Sequence, residues 1–198
     1  VPGKGVKLMI DENKAIEIIS ARLSPSRCRH SLEVARVARQ MAEQYGDDSS
    51  RAYLTGLLHD YAKGIAGDEL VKIAEANHLI TDEVDRQVPD LLHAPVGAFL
   101  LERDVGINDA DILQAVKCHT VGCVDMTTLD KIIYLADMIE PGRDYPGLER
   151  LRCLAERSMD RAMLYGLETT IKYCIDCGRI LHPQTIAVRN WFLTRQHD

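Results

Sequence analysis

The spacing of apolar residues constrains the fold of this chain more than any other feature. Apolar residues recur at intervals of three and four along nearly the whole sequence, which is typical of amphipathic helices. The alternation of β-branched and polar residues that indicates strands is almost absent, and aromatic residues make up only 5% of the chain. We therefore predict an all-α fold, a single bundle of helices.

Capping and helix-breaking residues place the predicted helices. Helices commonly begin at a Ser, Thr, Asp or Asn cap and end at Gly or before Pro. Ser26 is predicted to cap the second helix and Gly46 to end it. The full pattern predicts helices over residues 11–23, 26–45, 47–62, 68–78, 94–103, 109–119, 128–139 and 148–177, and a last one from Pro183 to about residue 193. No repeat or linker is visible, so one domain is predicted over residues 1–198, with residues 1–10 as a candidate disordered segment.

Composition and charge exclude several classes of protein. The chain has 24 Lys and Arg against 30 Asp and Glu, a net charge of −6. Nucleic-acid binders neutralise phosphates with Lys and Arg, so this class is excluded. No apolar run approaches the roughly 20 residues of a membrane-spanning helix, and the N-terminal residues do not resemble a signal peptide. We expect a cytoplasmic protein without membrane contact.

The six cysteines do not predict a disulfide scaffold. They are few and irregularly spaced for a small secreted protein, so we predict reduced thiols. Cys174 and Cys177 form a C-x-x-C pair, but a second ligand pair at zinc-site spacing is missing from the sequence. We interpret the pair as cysteines packed on a helix.

Four ionisable residues occupy positions that the sequence predicts to be buried. His30 lies on the apolar stripe of the second predicted helix and is therefore predicted to point inward. Such a histidine, taken alone, is more often a satisfied core residue than a ligand. His59 and Asp60 end an apolar run, and Asp137 follows another. A buried carboxylate is costly without a cationic partner, so a metal ion is the favoured partner of these groups.

The position of His59 and Asp60 along their helix restricts how both can reach one metal. Adjacent helical residues point about 100° apart, so both side chains meet one ion only near a helix end. The Lys63 and Gly64 pair predicts that end. Nitrogen and oxygen donors of this kind suit zinc, manganese or iron better than magnesium.

The order of these residues resembles that of a known family. His30, then His59 and Asp60, then Asp137 resembles the H…HD…D pattern of the HD-domain metal-dependent phosphohydrolases. The surrounding residues resemble, over about residues 18–192, the YqeK-type bacterial symmetrical diadenosine tetraphosphate hydrolases. The segments that carry this likeness are GLLHDYAKG at 56–64, HAPVG at 93–97, HT at 119–120, LDKIIYLAD at 129–137 and EPGR at 140–143.

The resemblance implies roles for individual residues. The implied metal ligands are His30, His59, Asp60 and Asp137. The implied catalytic residues are Asp60, Lys63, His93 and His119. The implied substrate-binding residues are Arg27, His30, Asp60, Lys63, His93, His119, Thr120, Asp137, Arg143, Ile180, Leu181, His182, Pro183, Gln184 and Thr185. One departure from the family pattern is Val121, where a second Thr is expected after Thr120.

Several of these roles have a plainer alternative. Lys63 is either a cation for the developing phosphate charge or a cation that favours a helix C-terminus. His93 and His119 are either proton donors, ligands of a second metal, or supports behind the ligands. Arg143 either binds a terminal phosphate or is a solvated charge. Two further histidines in polar surroundings are predicted at the surface: His78 and His197.

The resemblance implies hydrolysis of diadenosine tetraphosphate into two ADP molecules, with metal-bound hydroxide as the expected nucleophile. The implied metal is iron, with manganese, cobalt and zinc as alternatives. The partners are then the dinucleoside polyphosphate and ADP, and a homodimer stays open. Two alternatives remain: an HD-type enzyme acting on nucleoside monophosphates or guanosine alarmones, and a non-catalytic module that senses nucleotides. The complete ligand set argues against a module that only senses.

Overall fold

The computed structural model describes residues 10–195, and in that part of the chain the regular structure is entirely helical. This confirms the all-α prediction. The predicted segment 1–10 lies outside the described residues except for Ile10, and so does His197. The described helices are α1 (Glu12–Arg22), α2 (Pro25–Tyr45), α3 (Ser49–Leu58), α4 (Gly67–Ala76), α5 (Val84–Gln87), α6 (His93–Leu100), α7 (Ala110–Cys118), α8 (Thr128–Ile139), α9 (Leu148–Arg157), α10 (Met159–Asp176) and α11 (Pro183–Thr194). A 3₁₀ turn (Pro89–Leu92) precedes α6, and a π-helical turn (Leu101–Val105) follows it.

Caps read from the sequence explain where several helices begin and end. The Thr127 side chain accepts a hydrogen bond from the Asp130 amide, and the Asp130 side chain accepts one from the Thr127 amide. This capping box begins α8 at its predicted residue. Gly46 ends α2 with a φ of 73°, a left-handed conformation that glycine adopts without a steric penalty.

Two predictions about where a helix begins or divides were wrong. Ser24, not Ser26, caps α2, because Pro25 is tolerated at the first helical position, where no amide hydrogen is needed. The single helix predicted over residues 148–177 is two helices. Ser158 breaks it with an extended backbone at φ −160°, and its side chain caps α10 by accepting a hydrogen bond from the Arg161 amide.

Two groups of buried apolar residues form the interior. The first group contains residues of α8, α9, α10 and α11. The second contains residues of α1, α4 and α6. Helices α2, α3 and α7 contribute residues to both groups. Helices α2 and α3 pack closely at Gly56, where an added Cβ would lie 2.6 Å from Ala35 Cα. Within residues 10–195 we find no helix with the length and apolar character needed to cross a membrane.

The thiol prediction was wrong for two of the six cysteines. Cys118 and Cys123 form a disulfide, with their Cα atoms 5.5 Å apart. The chain turns back directly after α7, with Gly122 at a φ of 76°, and this turn brings Cys123 to Cys118. The remaining cysteines are free thiols: Cys28, Cys153, Cys174 and Cys177.

Candidate metal centre

The end of α3 places two of the predicted metal ligands. Helix α3 ends at Leu58, earlier than predicted, because i to i+3 turns follow, with the Tyr61 amide donating to Leu58 O and the Lys63 amide to Asp60 O. His59 and Asp60 lie in this tight stretch and are 0% and 3% exposed. The helix end lets both side chains face one cluster, although the sequence placed that end at Lys63 and Gly64.

The other two predicted ligands come from α2 and α8. His30 Nε2 lies 3.0 Å from Asp137 Oδ1 and 3.9 Å from Asp60 Oδ2. His59 Nε2 lies 3.8 Å from Asp60 Oδ2 and 3.9 Å from Asp137 Oδ1. Ligand atoms of His30, His59 and Asp60 all lie within 4.8 Å of one another. The four side chains thus converge on one point.

Three histidines at the site are held by the same local hydrogen bond. His59 Nδ1 lies 2.7 Å from Gly56 O, and His119 Nδ1 lies 2.6 Å from Val116 O. His93 Nδ1 makes the equivalent contact with the carbonyl oxygen three residues before it. A carbonyl only accepts, so the Nδ1 atoms of His59 and His119 donate, and in the neutral ring this leaves a lone pair on Nε2. The Nδ1 of His93 also lies 3.2 Å from Lys63 Nζ, which only donates.

These residues fit a divalent metal. His59 Nε2 is buried and has no hydrogen-bond partner among the residues that the structure describes. A buried polar atom without a partner carries the full cost of its desolvation. A metal ion removes that cost by accepting the lone pair, and a mixed set of imidazoles and carboxylates is typical of divalent transition metals.

The neighbours of each group set its charge. Burial opposes ionisation of Asp60, but its contacts with His59, His119 and His93 outweigh burial and hold the pKa of Asp60 well below its usual range. Burial likewise opposes ionisation of Asp137, but His30, His59 and Arg143 hold its pKa below the usual range. Burial lowers the pKa of His59 to about 4. Near neutral pH the carboxyls are ionised and His59 is neutral, the forms that bind a metal.

His93 and His119 form a second group with the other oxygen of Asp60. His93 Nε2 lies 3.3 Å and His119 Nε2 lies 3.7 Å from Asp60 Oδ1. The two Nε2 atoms are 3.0 Å apart. Two lone pairs at this distance repel each other, so the pair requires either a proton on one nitrogen or a cation between them. A shared proton fits the role of proton donors, and a cation between the nitrogens fits the role of ligands of a second metal.

Cationic side chains border the same cavity, whose volume is about 350 Å³. Arg27 Nη1 lies 3.1 Å from Asp60 Oδ2, and the Arg143 guanidinium contacts the Asp137 carboxylate. Lys63 Nζ lies 2.7 Å from an oxygen of Asp90. We call this space the central cavity. It is lined by Arg27, Asp60, Lys63, Asp90, Leu91, His93, His119, Thr120, Tyr134, Asp137, Met138, Arg143 and Thr170.

The comparison with known families agrees with this arrangement. The HD domain family model matches residues 27–142, which span α2 to the end of α8. The chain belongs to the HD domain family.

Relatives of the HD domain family are similar over nearly the whole chain. The symmetrical bis(5'-nucleosyl)-tetraphosphatase of Bacillus subtilis (strain 168) is 34% identical over 185 residues, which are 93% of this chain and 99% of that protein. The protein of the same name from Halalkalibacterium halodurans is 35% identical over 192 residues, 94% of this chain and 100% of that protein. A crystal structure of a predicted HD superfamily hydrolase involved in NAD metabolism, from Clostridium acetobutylicum, has a TM-score of 0.90. It shares 36% identity and covers 94% of this chain and 99% of that one.

The segment 180–185 lies next to the central cavity, but only part of it lines a cavity. His182 and Gln184 line a space of about 240 Å³, the side cavity, which shares Leu91 and Thr120 with the central cavity. The remaining residues of the segment do not line either cavity in the described part of the chain: Ile180, Leu181, Pro183 and Thr185.

Hydrogen bonds hold this segment in place. His182 caps α11, because its Nδ1 accepts from the Gln184 amide at 3.0 Å. Its buried Nε2 lies 3.2 Å from Asp85 Oδ1 but has no hydrogen-bond partner among the described residues. Thr185 Oγ1 donates to Val121 O at 3.3 Å. The backbone at Val121, where the resemblance led us to expect Thr, therefore contacts the segment through its carbonyl.

The sequence interpretation missed an acidic residue that contacts one of the predicted metal ligands. Glu140 is buried, and its Oε1 lies 3.2 Å from His30 Nδ1. A carboxylate only accepts, so His30 Nδ1 donates to it and Nε2 points to Asp137. The signal was the position of Glu140 three residues after Asp137. His78 is exposed, as predicted.

Proposed function

We propose that this chain is a metal-dependent hydrolase that cleaves diadenosine tetraphosphate symmetrically into two ADP molecules. The observation that carries the proposal is the convergence of His30, His59, Asp60 and Asp137 beside three cationic side chains. It occurs in a chain 34% identical, over 93% of its length, to a protein named for this cleavage. The small-molecule partners are then the dinucleotide and ADP.

In this proposal the metal ligands are His30, His59, Asp60 and Asp137, and the ion is iron, with manganese, cobalt and zinc as the alternatives. When bound, the metal lowers the pKa of a water molecule and polarises a phosphoryl oxygen. Glu140 holds His30 in the ligating orientation through the contact with its Nδ1. Gly56 O does the same for His59.

The cations beside the ligands bind and orient the phosphate chain. Arg27, Lys63 and Arg143 now pair with Asp60, Asp90 and Asp137. A polyphosphate offers these donors several anionic oxygens, and an arginine can bind two of them at once. Charge that develops on the phosphoryl oxygens is then met by groups already in position.

The pair formed by His93 and His119 supplies the proton for the departing ADP. Their Nε2 atoms are 3.0 Å apart, so one proton held between them removes the repulsion of the two lone pairs. Burial lowers the pKa of His93 and opposes its protonated form, whereas the contact with Asp60 favours that form. A proton held between the two rings can pass to a phosphate oxygen. The side cavity, with His182 and Gln184 on its wall, holds one nucleoside.

Product analysis tests the proposed function. The metal-loaded protein is incubated with diadenosine tetraphosphate, and the nucleotides are separated by anion-exchange chromatography. We expect ADP alone, and equal amounts of ATP and AMP would contradict symmetrical cleavage. Nucleoside monophosphates and guanosine alarmones are assayed in parallel and should stay intact. Binding of the dinucleotide without turnover would favour a sensing module instead.

Removal of the metal is expected to lower the thermal midpoint of unfolding. Ligand bound at about 100 times its Kd stabilises a protein by roughly 2.7 kcal/mol. For a domain of this size that corresponds to a shift of about 5 to 10 °C. Differential scanning fluorimetry before and after chelation measures the shift, and added metal should restore the midpoint. His78→Ala, at an exposed histidine outside the cluster, is the matched control and should respond like the wild type. An unchanged midpoint after chelation would contradict the metal site.

A further inference from the structure

A third and larger cavity adjoins the central cavity. Its volume is about 880 Å³, and it lies between α10 and the segment that joins α8 to α9. It shares Met138, Arg143 and Thr170 with the central cavity. We call it the tyrosine cavity. It is lined by Met138, Arg143, Tyr145, Pro146, Gly147, Tyr165, Glu168, Thr169, Thr170, Lys172, Tyr173 and Asp176.

The walls of the tyrosine cavity suit a flat aromatic ligand. Tyr145 is held in place because its hydroxyl donates to Met138 O at 2.9 Å. The Tyr165 hydroxyl packs against Gly147, where an added Cβ would lie only 2.6 Å away. Tyr173 is 49% exposed, a large fraction for an aromatic side chain. Nucleobases stack on such rings without regard to sequence, because every base has a π-face.

The central cavity borders two spaces that share no lining residue with each other among the described residues. It shares Leu91 and Thr120 with the side cavity, and Met138, Arg143 and Thr170 with the tyrosine cavity. A ligand centred on the metal residues can therefore extend from them in two directions.

We propose that the tyrosine cavity binds the second nucleoside of a dinucleoside polyphosphate. The inference rests on the proposed function. Symmetrical cleavage requires the middle of the tetraphosphate at the metal ligands, so one nucleoside leaves the centre on each side. The side cavity, about 240 Å³, takes one, and the tyrosine cavity, about 880 Å³, takes the other.

Arg143 links the metal centre to this second nucleoside. It lines both cavities, and its guanidinium contacts Asp137. The phosphate that leads to the second nucleoside therefore passes an arginine that can bind two of its oxygens. A mononucleotide fills only one of the two nucleoside spaces. The site thus favours dinucleoside polyphosphates over single nucleotides.

Titration calorimetry with the metal-loaded protein tests the proposal without turnover. We expect wild type to bind two ADP per chain and one molecule of a diadenosine tetraphosphate analogue with a methylene group in place of the central bridging oxygen. Tyr173→Ala should lose one ADP site and bind the analogue about tenfold more weakly, since one base loses its stacking partner. Its affinity for adenosine 5'-tetraphosphate, which has one nucleoside, should fall no more than about twofold, because the side cavity remains intact.

Two variants separate stacking from other effects of substitution. Tyr173→Phe keeps the aromatic ring and should bind the analogue like wild type. Ile175→Ala alters a side chain of the same helix that is 67% exposed and does not line the cavity, so it should also match wild type. Circular dichroism confirms that Tyr173→Ala is folded.

Several results would overturn the proposal. They are a single ADP site in wild type, equal affinity of wild type and Tyr173→Ala for the analogue, and equal weakening by Ile175→Ala. Each of these leaves symmetrical cleavage by the wild type intact. A wild-type protein that forms no ADP from diadenosine tetraphosphate instead contradicts the proposed function, while the titration still decides whether the tyrosine cavity binds a nucleoside.

Discussion

Asp60→Asn is expected to lower kcat for ADP formation by about a thousandfold or more, since charge stabilisation by a bound metal contributes several kcal/mol. Asp60 Oδ2 lies near His30 and His59, and Asp60 Oδ1 lies near His93 and His119. The carboxylate therefore joins the metal ligands to the proposed proton donors. The amide keeps the volume of the side chain but removes its negative charge.

Steady-state kinetics and elemental analysis check this expectation together. We expect metal content per chain to fall along with kcat, while the helical circular dichroism signal is retained. Asp68→Asn removes the same charge from a side chain that is 77% exposed on α4, and should keep wild-type turnover and metal content. Turnover of Asp60→Asn near that of wild type would rule out the metal role assigned to Asp60.

Gly56→Ala is expected to destabilise the fold by about 3 kcal/mol, at the upper end of the usual cost of overpacking. The added Cβ would lie 2.6 Å from Ala35 Cα and 2.9 Å from Ala35 N. These are backbone atoms of α2, so a side-chain rotation cannot relieve the clash and the two helices must separate. The higher helix propensity of alanine returns only about 1 kcal/mol.

The same substitution should weaken metal binding. Gly56 O accepts the hydrogen bond from His59 Nδ1 at 2.7 Å, so a shift of α3 moves a ligand. Denaturant unfolding measures the stability, and a metal titration measures the affinity. Gly97→Ala is the matched control, because its Cβ would lie 3.6 Å or more from its neighbours, an ordinary contact, within another helix. Equal stability of Gly56→Ala and wild type would show that α2 and α3 are not packed as described.

Local signals accounted for much of the helical structure. Helix α8 runs over its predicted residues, because the Thr127 cap and the Pro141 that follows are adjacent in sequence to the helix they bound. The break at Ser158 was missed, since the apolar period continues through it. A serine does not by itself predict a helix break. Ser158 becomes a cap only where α9 and α10 pack at an angle that leaves the Arg161 amide free for its side chain.

The candidate site was also predicted only in part from the sequence. The sequence identified His30, His59, Asp60 and Asp137 as candidate ligands, because an ionisable group buried among apolar residues is costly without a partner. The contact between Glu140 and His30 was missed, because the spacing from Asp137 marks Glu140 only as a candidate and the packing of α2 against α8 brings it to His30. The tyrosine cavity was missed because tyrosine rings that line a groove have the same spacing as rings in a core.

The sequence by itself determined that this chain is helical, that it belongs with the HD hydrolases, and which residues are candidate metal ligands, because periodicity and motif order are properties of the chain alone. The tertiary structure decided which nitrogen of each ring faces the centre, the pairing of Cys118 with Cys123, and the two spaces that flank the metal residues. These depend on distances between side chains of different helices, and helix packing fixes those distances only when the whole chain is folded.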